Sequence, residues 1–210
     1  MENNSIAALS SEEVRVLGAL IEKSKTTPDY YPLTINSLVT ACNQKSARNP
    51  VVSYDTDTVV NALDQLKKKQ LVATVMGDGR STKYRHTIAV KYPLDPAEVT
   101  ALGLLLLRGP LTVGEIKSTA GRMYEFDDLA EVQQVLENLS NHEPSLVTQL
   151  PRRTGQKENR FCHLFAPVSE DDSADQDQEQ EMSPTNNFEQ RIQQLEEEVA
   201  MLKERLKDLL

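Results

Sequence analysis

The chain has 210 residues, is 39% hydrophobic, and carries 23 Lys and Arg against 32 Asp and Glu. That is enough apolar content for two modest cores, but no apolar run is long enough for a membrane span. The net charge of −9 argues against nucleic acid only until it is divided: residues 169–210 hold 4 basic and 13 acidic groups, residues 1–168 hold 19 of each. Within that balanced part, residues 1–92 lean basic (12 to 9) and residues 93–168 lean acidic (7 to 10).

The chain repeats itself. Leu9 to Leu20 returns as Leu94 to Leu105, with Leu17-Gly18 matched by Leu102-Gly103, and Pro32 to Leu38 returns as Pro110 to Ile116. A period of roughly 80 residues suits a small domain better than a solenoid unit. Two copies of one module are therefore predicted, residues 1–92 and 93–168.

In copy one, Ser10 and Glu13 make a capping box before a helix whose Val14, Leu17, Leu20 and Ile21 share a face. A short second helix starts at Thr34. A third, about Asp55 to Gln70, turns Val59, Ala62, Leu63 and Leu66 inward and ends in Lys67, Lys68 and Lys69, cations suited to a helix C-terminus. Leu71 to Met76 and Ser81 to His86 then alternate like strands around the turn Gly77-Asp78-Gly79, a hairpin signature. Copy two repeats the pattern. Asp95 and Pro96 open its first helix, Thr112 and Glu115 cap the second, and Val132 to Leu139 is the periodic part of the third. Strands are predicted at Leu146 to Leu150 and Arg160 to Phe165 around a basic turn from Pro151 to Lys157.

Three helices followed by a two-stranded ribbon is the winged-helix arrangement. The expected fold class is mainly α with small β: tandem winged-helix domains, an acidic linker and a C-terminal coiled-coil helix. The chain resembles the YceH family of uncharacterised bacterial proteins. The resemblance rests on Pro32-Leu33-Thr34, on Ala41 to Ser46 with Arg48 and Pro50-Val51, on Gly79-Arg80 with Lys83 to His86, and on Arg108 to Thr112. It covers about residues 9 to 166 and implies a fold, tandem winged helices, rather than an activity.

Residues 169–187 are rich in Asp, Glu, Gln and Ser and are expected to form a disordered acidic linker. From Phe188 a heptad pattern resumes, with Ile192, Val199 and Leu206 at a and Leu195, Leu202 and Leu209 at d, a combination favouring a parallel two-stranded coil. A homodimer is expected.

Candidate binding residues cluster in copy one. Between the second and third helices, Lys45 and Arg48 could pair with phosphate, and Asn43, Gln44, Ser46 and Asn49 could bond phosphate or bases. The alternative is a solvated loop in which Asn43 caps the second helix and Arg48 pairs with a nearby aspartate. The third helix offers Asn61, Gln65 and Lys68 outward, diluted by Asp57 and Asp64. The ribbon carries Arg80, Lys83 and Arg85, placed to follow a phosphate backbone. The second ribbon concentrates Arg152, Arg153, Lys157 and Arg160 beside an acidic third helix.

No phosphate-binding glycine loop, zinc spacing or paired-carboxylate site is apparent, and no cofactor, metal or enzymatic activity is expected. His86 and His163 occupy equivalent strand ends, which predicts a repeated packing or hydrogen-bonding role. Cys42 and Cys162, far apart in sequence, are expected to be buried thiols of a reducing compartment. The start Met1-Glu2-Asn3-Asn4 lacks signal-peptide character, so a cytoplasmic protein without membrane association is expected. Two functions fit: duplex-DNA binding by copy one in a regulatory dimer, or a scaffold that uses both modules to hold a protein partner.

Overall fold

Ser10 opens the first helix as its sequence requires. In the computed structural model, which describes residues 6–76, 81–152 and 158–167, the Ser10 amide donates to Glu13 Oε2 at 2.6 Å and the Glu13 amide donates back to Ser10 Oγ at 3.3 Å. This box starts α1 (Ser11–Thr26). A 3-10 turn at Pro28–Tyr30 leads to α2 (Ile35–Cys42), capped by Thr34, and α3 (Thr56–Lys68) is capped by Asp55. Each such cap contributes about 1 kcal/mol by satisfying amides that the first turn leaves without partners. The antiparallel pair β1 (Val72–Met76) and β2 (Thr82–His86) sets Val72 opposite His86 and Met76 opposite Thr82.

After a single helical turn, α4 (Ile88–Lys91), the second copy begins. Asp95 caps α5 (Pro96–Arg108) with a full box to Glu98, and Thr112 caps α6 (Val113–Ala120) with a full box to Glu115. Asp128 caps α7 (Leu129–Asn141), and β3 (Val147–Gln149) pairs with β4 (Phe161–His163), Val147 opposite His163. The protein is thus mainly helical with two small antiparallel sheets. The second pair is shorter than Leu146 to Leu150 and Arg160 to Phe165 predicted.

One repeated detail lies outside what periodicity reveals. Leu33 exchanges both backbone hydrogen bonds with Tyr84 (3.1 and 2.8 Å), and Leu111 does the same with Phe161 (3.0 and 2.8 Å). The segment between the first and second helices therefore adds a one-residue rung to each ribbon.

The first helices of the two copies pack against each other through their shared glycine. A Cβ built on Gly18 would lie 2.8 Å from Leu107 Cγ, and one on Gly103 would lie 2.6 Å from Ile21 Cγ2, so neither backbone leaves room for a side chain. Val16, Leu17, Leu20 and Ile21 of α1 and Ala101, Leu102, Leu105 and Leu106 of α5 are buried, and the two copies share one hydrophobic core. Long side chains at the crossing would force the helix axes apart and expose this seam.

These residues belong to one compact unit, Met1–Val168, and Ser169–Leu210 is a second. The acidic linker 169–187 and the coil positions Ile192, Leu195, Val199, Leu202, Leu206 and Leu209 lie outside the described residues, as does the turn 77–80 with Arg80. Among the described residues no helix is long and apolar enough to cross a membrane.

Candidate functional site

The loop joining α2 to α3 turns inward at most of its polar positions. Arg48 is 7% exposed. Its Nη1 donates to Glu22 Oε1 at 3.0 Å and its Nη2 to Glu22 Oε2 at 2.6 Å, a bidentate pair with the end of α1. Nε donates to the Ala41 carbonyl, Nη1 also to the Ala47 carbonyl and Nη2 also to Gln44 Oε1. All five N–H groups of the guanidinium thus have acceptors inside the fold. Burial opposes ionisation of Glu22, but the hydrogen bonds and charge of Arg48 outweigh it and hold the carboxyl below its ordinary value.

The neighbours of Arg48 are equally committed. Asn43 closes the loop, its Nδ2 donating to the Tyr54 carbonyl and its Oδ1 accepting from the Tyr54 amide, both at 2.8 Å. Gln44 Oε1 accepts from Lys23 as well as from Arg48. Asn49 ties the loop to the second copy, its amide donating to the Leu107 carbonyl at 2.9 Å at the end of α5. Arg15, also buried, donates to the Pro50 carbonyl. The phosphate-contact expectation is therefore corrected for Arg48: its partner is Glu22, not an aspartate or a ligand. Asn43 likewise spends both ends of its side chain on the fold, Gln44 spends its oxygen, and Asn49 contributes its backbone amide.

Lys45 and Ser46 remain exposed at the loop tip. On α3, Val59, Leu63 and Leu66 are buried and Asn61, Gln65 and Lys68 are exposed, as the helical period predicts. Asp64 on the same face pairs with Lys67 at 2.7 Å and so presents a compensated charge. On β2, Tyr84 packs against the core and Arg85 is exposed, with Lys83 half-buried. Lys45, Asn61, Gln65, Lys68, Lys83 and Arg85 form no side-chain hydrogen bond or ion pair among the described residues. They lie on three separate elements of copy one, and their donors are available to a ligand.

Copy two presents a different surface. Arg160 forks onto Glu115, Nη1 to Oε2 and Nη2 to Oε1 at 3.0 Å each, and also donates to the Pro110 carbonyl. It is a brace between ribbon and α6 rather than part of a basic strip. The α7 sequence contains Glu131 and Glu137 and no Lys or Arg. A groove of about 640 Å³ runs between α6, α7 and the second ribbon, with Leu129 at its edge 54% exposed. Arg153 and Lys157 lie outside the described residues.

The equivalent histidines are half-buried and the two thiols buried. His86 Nε2 lies 3.2 Å from Ser24 Oγ, and Ser24 already donates to the Ile21 carbonyl, so the imidazole donates from Nε2. Burial, with the charges of Lys25 and Arg85, pushes its pKa down to about 4. Burial pushes the Cys42 thiol up to about 12 and the Cys162 thiol to about 11. Among the described residues no group of three or more His, Cys, Asp or Glu could hold a metal ion.

Sequence comparison places this architecture in a family. Residues 9–156 match a family model described as "Protein of unknown function, DUF480". A UPF0502 protein of Geotalea uraniireducens is 51% identical over 194 residues, covering 91% of this chain and 89% of the relative. One from Opitutus terrae is 46% identical over 200 residues, covering 94% and 84%. One from Shewanella woodyi is 44% identical over 216 residues, covering 96% and 99%. The matched stretch runs from α1 of the first copy into the second hairpin, and the relatives are covered over 84–99% of their own length: the chain belongs to the bacterial DUF480/UPF0502 family, the one that the YceH resemblance names.

Proposed function

We propose that each copy is a winged-helix module and that the first binds duplex DNA, in a non-enzymatic protein that acts as a cytoplasmic homodimer. The module assignment is supported by the order of parts in each copy: helix, one-residue strand rung, two helices, hairpin. In that arrangement α3 is the helix offered to a groove and β1–β2 is the wing.

The observation that carries the DNA reading is the set of uncommitted donors on copy one. Asn61, Gln65 and Lys68 on α3, Lys83 and Arg85 on the wing and Lys45 at the loop tip all stand clear of internal partners. Asn and Gln can bond base edges, while the four cations suit phosphates. The acidity of residues 169–210 limits non-specific attraction by the whole chain without altering this face. The heptad residues Ile192 to Leu209 would set the dimer.

Fluorescence anisotropy with duplex DNA over a salt series tests the proposal. Each lost phosphate contact should reduce the slope of log affinity against log salt by about 0.9, so a Lys68→Ala/Lys83→Ala/Arg85→Ala variant should bind less tightly and with a shallower slope. A flat, weak signal in both proteins would end the DNA reading. Sedimentation with and without residues 188–210 tests the dimer, and a monomer in both forms would exclude it.

A second reading has one observation in its favour, for copy two alone. The groove is lined by exposed Leu129, by Phe161 and by the oppositely charged Arg152 and Glu158, beside an α7 free of basic residues, and suits a protein partner better than a phosphate backbone, so this module would serve as the scaffold while the first reads DNA.

A further inference from the structure

The third helices of the two copies carry the same pair of amide side chains in opposite order. Aligning cap on cap and core on core sets Asp55, Val59, Leu63 and Leu66 of α3 against Asp128, Val132, Leu136 and Leu139 of α7. In that register Asn61 and Gln65 match Gln134 and Asn138, and all four are exposed. In copy two the amides turn on each other. Gln134 Nε2 donates to Asn138 Oδ1 at 3.0 Å, and beside them Gln133 Nε2 donates to Glu137 Oε1 at 2.9 Å. In copy one, Asn61 and Gln65 form no side-chain hydrogen bond among the described residues.

The open pair belongs to a polar stripe. Residues three or four apart share one face of a helix, and Asp57, Asn61, Gln65 and Lys68 follow that spacing opposite buried Val59, Ala62, Leu63 and Leu66. Asp64, on the same side, is held by Lys67 at 2.7 Å. From the start of the helix the stripe therefore reads carboxylate, amide, amide, ammonium. Each group has its own match in a major groove. An amide donates and accepts, which pairs it bidentately with adenine N6 and N7. A carboxylate only accepts, so it meets the amino group of cytosine or adenine and opposes the acceptor edges of guanine and thymine. No arginine, the commonest partner of guanine, lies on α3.

We propose that α3 selects adenine, with Asn61 and Gln65 each reading one adenine of the same site and an adenine or cytosine lying on the Asp57 side. This rests on the duplex binding proposed above and adds the class of sequence that it prefers. Four residues of helix rise about 6 Å, against about 3.4 Å per base along one strand, so the two adenines lie one or two steps apart. Lys68, at the C-terminal end of the stripe, is left for a phosphate. Gln134 and Asn138, turned toward each other, are not set to meet a base edge, and selection rests on copy one.

Selection by the full chain from a randomised duplex library, followed by anisotropy on the enriched duplexes, is the test. We expect two adenines one or two steps apart, and replacing either by guanine should weaken binding about tenfold. Asn61→Ala should lose that discrimination at one of the two positions and Gln65→Ala at the other, each with the native salt slope. Lys68→Ala should instead weaken all duplexes alike and make the slope shallower. Gln134→Ala should bind and discriminate as the native chain does. Asn61 and Gln65 are exposed, so their variants should keep the thermal midpoint. Duplex binding without adenine enrichment, or discrimination that survives in both Asn61→Ala and Gln65→Ala, would overturn the adenine assignment and leave DNA binding by copy one standing. Discrimination lost in Gln134→Ala would overturn its restriction to copy one. No binding to any duplex would overturn both proposals together.

Discussion

Arg48 grips Glu22 with two hydrogen bonds of 3.0 and 2.6 Å, from a side chain with no exposed surface to one that is 13% exposed. The pair joins the α2–α3 loop to the end of α1, and Asn49 beside it joins the same loop to the end of α5. A buried ion pair adds little over an apolar substitute, but removing one partner strands the other. Arg48→Ala should therefore cost about 3–5 kcal/mol in chemical denaturation. Glu22→Gln keeps an acceptor and should cost about 1–3 kcal/mol. Because the folded Glu22 carboxyl lies below its ordinary value, its contribution is present above the unfolded pKa and is lost as pH falls through the folded one. The gap between native protein and Glu22→Gln should thus narrow on acidification below about pH 4.5. A loss below ~1 kcal/mol for Arg48→Ala would mean the loop is not anchored in this way.

Gly18 and Gly103 stand at matching positions of the two copies, and each faces a side chain of the other's helix. Alanine would raise helix propensity by up to about 1 kcal/mol at either site, but at 2.8 and 2.6 Å the new methyl must push α1 and α5 apart. Overpacking of this kind costs about 1–3 kcal/mol. We expect a net loss for Gly18→Ala and Gly103→Ala. Gly103 meets Ile21, β-branched and stiff at χ1, at the closer distance of 2.6 Å, so Gly103→Ala should be the worse of the two. Thermal unfolding decides it: a raised midpoint in either variant would show that the crossing has slack.

What could be read from the sequence was what depends on near neighbours. Ser10 with Glu13, Asp95 with Glu98 and Thr112 with Glu115 are three residues apart, and each forms the capping box expected of it. Val59, Leu63 and Leu66 follow the helical period and are buried. The partners of Arg48 and Asn49 could not be read this way. Glu22 is 26 residues from Arg48, and the Leu107 carbonyl belongs to the other copy. A basic residue in a polar loop has the same local signature whether it faces phosphate or an internal carboxylate. The one available signal was the density of Asn, Gln and Arg in a short family-like motif, which is equally what a loop needs when its carbonyls and amides must be satisfied inside the fold. The matching glycines were visible as a repeat, but their contact depends on how two distant helices cross.

His86 should make stability depend on pH in a separable way. Its Nε2 donates to Ser24, and Nδ1 is buried without a hydrogen-bond partner among the described residues. Protonation would put a charge there, beside Lys25 and Arg85, which is why the folded pKa falls to about 4 from an ordinary 6.5. The unfolded chain binds the proton first, so the stabilisation is fully present above pH 6.5 and is lost as pH falls towards 4. At about 1.4 kcal/mol per unit, the native protein should lose on the order of 2 kcal/mol between pH 7 and 5 that His86→Gln does not lose. Glutamine retains a donor for Ser24, and the other histidines are common to both proteins. Urea titrations at the two pH values measure the difference, and parallel losses would show that His86 is protonated without penalty in the fold.

The two thiols should report opening of the two copies separately. Cys42 on α2 is fully buried and Cys162 on β4 is 4% exposed. Desolvation raises both pKa values, to about 12 and about 11, with the charges of Arg15 and Arg48 already acting to lower the first. Alkylation requires the thiolate, and an ordinary cysteine near pKa 8.5 is about a quarter ionised at pH 8. Both thiols should therefore react with iodoacetamide at least about a hundredfold more slowly than a free thiol. Arg48→Ala loosens the α2–α3 loop that covers Cys42, so it should accelerate labelling at Cys42 more than at Cys162, because local opening governs access to a buried group. Mass spectrometry of peptides after timed labelling distinguishes them. Equal acceleration at both sites would mean that the copies open together, as the shared α1–α5 core would require if Arg48 secured the whole two-copy unit rather than its own loop.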